Sequence, residues 1–301
     1  MWKGYLLVLV SATAFAFIPI FALHAYESGV TVTTLLFLRF TFAAFFFFLY
    51  LLVKVKRWKI SLQHLFFLFL LGGICYTMQS SFYFSAVKYI PSSLAALLLY
   101  LNPIFVAVLS FFVNKEKLSK RIATAIVISL FGMAFVLGAP AGDIKLVGVL
   151  LATGAAVVYS IYIVAGDRIT SQVPPIITSA YIALFAAISF LAYGTITKTL
   201  TFQFSEQGWL AIVATAFISS VVAMLTFFAG MNIIGPTKAS VISMVEPVIT
   251  FILSTIFLQE VMSLWQIIGG VIVLTGAVLV VLAREGKEKI NVDEANMKAT
   301  S

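Results

Sequence analysis

The sequence predicts an all-α polytopic membrane protein: ten transmembrane helices, arranged as two inverted five-helix repeats around a central cavity. Three observations carry that reading: the scarcity of charge, ten apolar runs of spanning length, and an internal match at one fixed offset. The chain has 301 residues, of which 62% are hydrophobic and 10% charged, with mean hydropathy +1.12. Soluble domains hold about a quarter charged residues because their surfaces face water. A 32.9 kDa particle cannot cover its surface with so little charge, so its solvent is lipid. The formal net charge of +8 would suit nucleic acid only as a patch on a soluble face. Cys75 is the single cysteine, which excludes an internal disulfide and a cysteine-based metal site, and neither a metal nor a cofactor is expected.

The spans lie at roughly 4–22, 31–53, 65–86, 92–113 and 121–138, then 146–166, 176–196, 208–230, 237–258 and 264–283. Lipid offers backbone amides no partners, so each run must be a helix, and strand-like alternation is absent. Span one is too long for the apolar core of a signal peptide and lacks a small-residue cleavage site before His24 and Glu27; it is expected to be retained. Span two carries Phe45 to Phe48, which circle the helix so that most face lipid. Spans five and ten open three residues after Glu116 and Glu260, with Ser119 and Ser263 as N-caps. Span nine starts at Gly235-Pro236. The polar stretch 284–301 has little to bury and is expected to be a disordered cytoplasmic tail.

Loop charges set the orientation. Lys3, Lys54, Lys56, Arg57, Lys59, Lys115, Lys117, Lys120, Arg121, Arg168, Lys238, Arg284, Lys287, Lys289 and Lys298 fall on one side; Lys88, Lys145 and Lys198 fall on the other. Fifteen against three puts both termini in the cytoplasm of a multi-pass cell-membrane protein. The same skew turns the net charge into a topology signal and removes nucleic acid as a partner.

Aligned with itself, the chain matches at i and i+144. Gly4, Leu6 and Leu7 meet Gly148, Leu150 and Leu151; Ser61 and Gln63 meet Ser205 and Gln207; Ala95, Pro103, Leu109 and Ser110 meet Ala239, Pro247, Leu253 and Ser254. Glu116, Ser119 and Gly132 meet Glu260, Ser263 and Gly276. Pro, Glu, Gln and Gly are not favoured by membrane composition, so the matches are specific. The repeats are 1–140 and 141–283. Five spans per copy is an odd number, so the second copy enters the membrane from the opposite face. Inverted repeats are typical of secondary transporters, with substrate bound near the midplane.

Arg39 in FLRFTFAA, and the paired stretches LNPIFVAVLSFFVNKE and VEPVITFILSTIFLQE, resemble the EamA branch of the drug/metabolite transporter superfamily over residues 4–283. The resemblance implies an exporter of amino acids, other small metabolites or drug-like compounds. It also makes Glu116 and Glu260 a structural motif, each at a corner between helices.

Two ionisable groups lie inside the hydrocarbon, where each needs a reason. Glu246 is a candidate proton or cation site near the midplane, or else a static group paired with Arg39. Its repeat mate is Asn102, so the paired positions are polar in both halves and charged in one. Pro103 and Pro247 follow these residues directly and remove a backbone donor, loosening each helix at mid-membrane. Tyr76, Gln79, Ser80 and Tyr83 share one helical stripe in span three; Ser243, Glu246, Thr250 and Ser254 share one in span nine. Tyr100 in span four and Tyr159 and Tyr162 in span six are candidate cavity linings for flat or cationic substrates. The expected mechanism has the two halves rocking in alternating access, driven by protons or by another gradient. The alternative is a passive channel, or a facilitator or lipid-handling protein without coupling. An enzyme is not expected, because no H-E-x-x-H and no mid-span aspartates occur. No phosphate-binding G-x-x-x-x-G-K-[ST] loop occurs either, which removes ATP-driven transport by this chain alone. Oligomeric state is open, with Gly132, Gly269, Gly270 and Gly276 offering small-residue faces on spans five and ten.

Overall fold

The computed structural model describes residues 1–55, 59–116, 118–138, 144–259 and 263–299, without the side chains of 92, 93 and 283–299. Among these residues every regular element is helical. Ten stretches are long and apolar enough to cross a membrane: Trp2–Glu27, Val32–Val55, Leu62–Ala86, Leu94–Asn114, Lys120–Leu137, Leu146–Thr170, Pro175–Ile196, Glu206–Ile234, Pro236–Leu258 and Leu264–Leu282. The helix that holds span ten is continuous over Leu264–Ala299, through residues where the sequence leads one to expect a disordered tail. No proline interrupts that stretch, and its Glu and Lys residues favour a helix.

Helix ends show how the repeat is written into local structure. Ser119 starts span five by accepting the Ile122 amide at 3.3 Å. Ser263 accepts the Gln266 amide at 3.3 Å while Gln266 Oε1 accepts the Ser263 amide at 2.9 Å, a reciprocal capping box. Lys115 and Gln259, 144 residues apart, both end their helices in the left-handed conformation at φ 54°. Glu260 lies outside the described residues.

The most extensive packing runs across the repeats. Span five packs on span ten, span two on span seven, span one on span eight, and span three on span six. Spans four and six, and their repeat mates nine and one, also touch. Spans five and ten, and two and seven, are repeat mates packed on each other; the contacts of one with eight and of three with six are exchanged by the repeat. The glycine faces of spans five and ten are consumed inside the chain. A Cβ on Gly269 would come within 2.6 Å of Gly132 O and Val136 N. One on Gly276 would strike the Ser129 hydroxyl.

The interfaces define two mixed bundles, spans three, four and six against spans one, eight and nine, related by the same inversion. The sequence halves are therefore not separate bodies.

Candidate functional site

Spans four and nine are each broken at mid-membrane, and their repeat-related polar residues start the second piece. In span four, helix Ser92–Leu99 ends in a turn at Tyr100 and Leu101, and a new helix runs over Asn102–Asn114. In span nine, Pro236–Ser243 ends in a turn at Met244 and Val245, and Glu246–Leu258 follows. Pro103 and Pro247 occupy the first turn of each new helix, where a missing amide costs nothing and the fixed φ is already helical. Asn102 and Glu246 thus sit at two helix N-termini, the positive ends of the peptide dipoles.

Both face a cavity of about 160 Å³ at the junction of the two mixed bundles. Its polar lining is Tyr76, Gln79, Tyr100, Asn102, Tyr159, Tyr162 and Glu246. Asn102 is 6% exposed, and its backbone carbonyl accepts a hydrogen bond from Ser160 Oγ at 3.2 Å. The Glu246 carbonyl accepts from Thr250 Oγ1 at 3.0 Å, but no described residue hydrogen-bonds the Glu246 carboxylate. Among the described residues, Glu246 is the one acidic side chain that lines the cavity.

Aromatic rings form a continuous wall beside it. Tyr159 and Tyr162 stack at 6.0 Å, Tyr162 meets Tyr76 edge-on at 5.8 Å and Phe228 at 5.9 Å, and Tyr76 meets Phe40 at 5.0 Å. Arg39 closes the row behind this wall. Its guanidinium lies 4.8 Å from the Phe40 ring centroid, its Nε donates to Ser220 Oγ at 2.6 Å, and it also donates to the Ser219 carbonyl at 3.3 Å. Arg39 on span two therefore has neutral hydrogen-bond partners on span eight, and Glu246 makes no ion pair with it.

Seven candidate residues from the sequence meet in this cavity; Arg39, Tyr83 and Ser243 do not line it. Tyr83 packs near Ala86, Ile90, Ala95 and Ala152 in a separate apolar cluster. Glu116 stands at the basic face, where Thr237 Oγ1 donates to Glu116 Oε2 at 2.9 Å, joining span four of one repeat to span nine of the other.

Sequence reasoning missed the apolar wall and three irregular helices. Phe15, Ile18, Leu99, Met224, Phe227 and Phe228 complete the lining. Span one breaks at Phe17, between helices Trp2–Ala16 and Ile18–Glu27, and Pro19 was the available signal. Residues Leu70–Tyr76 and Phe217–Val222 are wide π-helical turns in spans three and eight. The first delivers Tyr76 to the cavity and the second presents Ser219 and Ser220 to Arg39. Gly72-Gly73 and Ser219-Ser220 are the small-residue pairs that could have flagged them. No group of three or more His, Cys, Asp or Glu able to hold a metal occurs among the described residues.

The architecture has known counterparts. The EamA-like transporter family matches residues 2–138 and again 146–282. The chain belongs to the EamA-like transporter family. Both starts and both ends of those matches lie 144 residues apart, the offset of the internal repeat. Among EamA-like relatives, the uncharacterized transporter YyaM of Bacillus subtilis (strain 168) is 27% identical over 65% of this chain and 67% of its own. The aromatic amino acid exporter YddG of Ancylobacter novellus is 31% identical over 57% of this chain and 61% of its own. A crystal structure shares the fold at TM-score 0.81 and 23% identity, covering 96% of this chain and 99% of that one. Membership makes this a multi-pass transporter embedded in the lipid bilayer.

Proposed function

We propose that this EamA-like protein is a secondary transporter that exports small zwitterionic compounds with a flat or aromatic group. One observation supports the reading: the repeat mates Glu246 and Asn102, one acidic and one neutral, begin helices at a shared aromatic-lined cavity. A substrate ammonium would take the Glu246 carboxylate, and a substrate carboxylate would take the positive end of helix Asn102–Asn114 beside the Asn102 amide. The tyrosine and phenylalanine faces would hold a ring or a cationic edge. The exporter relative of Ancylobacter novellus favours aromatic amino acids among such compounds and favours export.

Ligand pockets typically measure about 300–1,000 Å³, so a cavity of about 160 Å³ must widen to load its cargo. Spans three, four and six would rock against spans one, eight and nine, while the pairs two with seven and five with ten hold the frame. The breaks in spans one, four and nine lie at the cavity and supply hinges. With cargo absent, Glu246 would carry a proton through the return step, which couples the cycle to a proton gradient. The basic face would lie in the cytoplasm.

A ligand that binds only the folded state raises its unfolding temperature. Purified protein should therefore melt higher with phenylalanine, tyrosine or tryptophan than with alanine or glutamate, and Glu246→Gln should lose the shift. Equal shifts for all five amino acids, or none for the aromatic ones, would reject the substrate class.

A further inference from the structure

On the back of spans three and six, away from the transport cavity, lies a second crevice of about 510 Å³ bounded also by span four. Phe67, Leu71, Leu109, Val113, Ile161 and Val164 give it long apolar walls, and Cys75 lies at its deep end. Its polar groups gather at one end only, on the basic face: Gln63, His64, Arg168 and Gln172. His64 Nε2 is 3.0 Å from Gln172 Oε1, and His64 Nδ1 is 2.8 Å from Ser61 Oγ. Arg168 is exposed, and its guanidinium has no hydrogen-bond or ion-pair partner among the described residues.

We propose that this crevice binds one anionic phospholipid, with an acyl chain along the apolar walls and the phosphate at Arg168, beside the His64–Gln172 hydrogen bond. Three features select that occupant. Phe67, Val113 and Ile161 are exposed at membrane depth, so the crevice opens onto hydrocarbon and not onto water. His64 and Cys75 stand eleven residues apart in one span, about 16 Å, close to the hydrocarbon thickness of a single leaflet. An unpaired guanidinium at the basic membrane boundary complements a phosphate, which it can grip with two parallel hydrogen bonds. A lipid there would back the helices that carry Tyr76 and Tyr162, neighbours in sequence of Cys75 and Ile161.

Cys75 is the only thiol in the chain and reports directly on the acyl end of the site. Its alkylation by N-ethylmaleimide should be measured in nanodiscs of phosphatidylcholine, with and without phosphatidylglycerol. Phosphatidylglycerol should slow the reaction by about fivefold in wild type, and Arg168→Ala should abolish that protection. In phosphatidylcholine alone both proteins should melt at the same temperature, because Arg168 is exposed. Native mass spectrometry should find a retained phosphatidylglycerol on wild type and less on the variant. No protection in wild type, or equal protection and retention in Arg168→Ala, overturns the proposal. Protection by inorganic phosphate alone also overturns it, since the site would then read the anion without the chain.

Discussion

Glu246 and Arg39 show at the residue scale how much chemistry a bilayer makes visible. Both stood out in the sequence because intramembrane charge is rare; only the structure separates their surroundings. Glu246 faces open cavity, while Arg39 is 4% exposed and bound to Ser220 and Ser219. Their separation was illegible beforehand, because side chains on spans two and nine can be placed only once the helices are packed. Removing Arg39 removes the charge-assisted bond to the Ser220 hydroxyl, a loss of about 1.5–3 kcal/mol. Arg39→Ala should lower the unfolding midpoint in detergent, and Arg39→Lys should recover little because one ammonium cannot reproduce the planar fork. Glu246→Gln should instead leave the midpoint near wild type and weaken aromatic amino acid binding by about thirtyfold or more, read by isothermal titration. The two residues are thus distinguishable by which measurement moves.

At the scale of elements, the legible parts are those with a strong local signal. Capping serines, spanning lengths and the paired prolines all act within a turn or two of their own position. The π-helical turns at Leu70–Tyr76 and Phe217–Val222 depend on what packs against them, and the small-residue pairs inside them are only a weak local signal. A Cβ on Gly72 would run into the backbone of Ile182, so that turn is shaped by contact with span seven. The same logic holds for spans five and ten, whose glycines read equally well as an oligomer face until their partner was known. Gly269→Leu should force these helices apart and cost about 1–3 kcal/mol, seen as a lower melting temperature. Gly138, with no atom within 4 Å of its added Cβ but φ 74°, should respond to alanine by backbone strain alone and shift less. Pro247→Ala restores an amide where the Glu246 helix begins and should slow flux more than it changes stability.

For the whole molecule, the repeat offset was readable to the residue, whereas the packing of one copy against the other was not. A sequence repeat suggests that each copy moves as a unit. Inversion pairs every span with a partner from the other copy, so the proposed rocking sets spans three, four and six against one, eight and nine. Spin labels across that boundary should change separation when substrate binds, whereas labels on spans five and ten should hold theirs. The central claim concerns coupling, and it is tested most directly by phenylalanine flux in proteoliposomes under an imposed proton gradient. The account predicts gradient-driven accumulation by wild type and none by Glu246→Gln, with both proteins inserted and folded alike. Wild-type accumulation by the variant would contradict it.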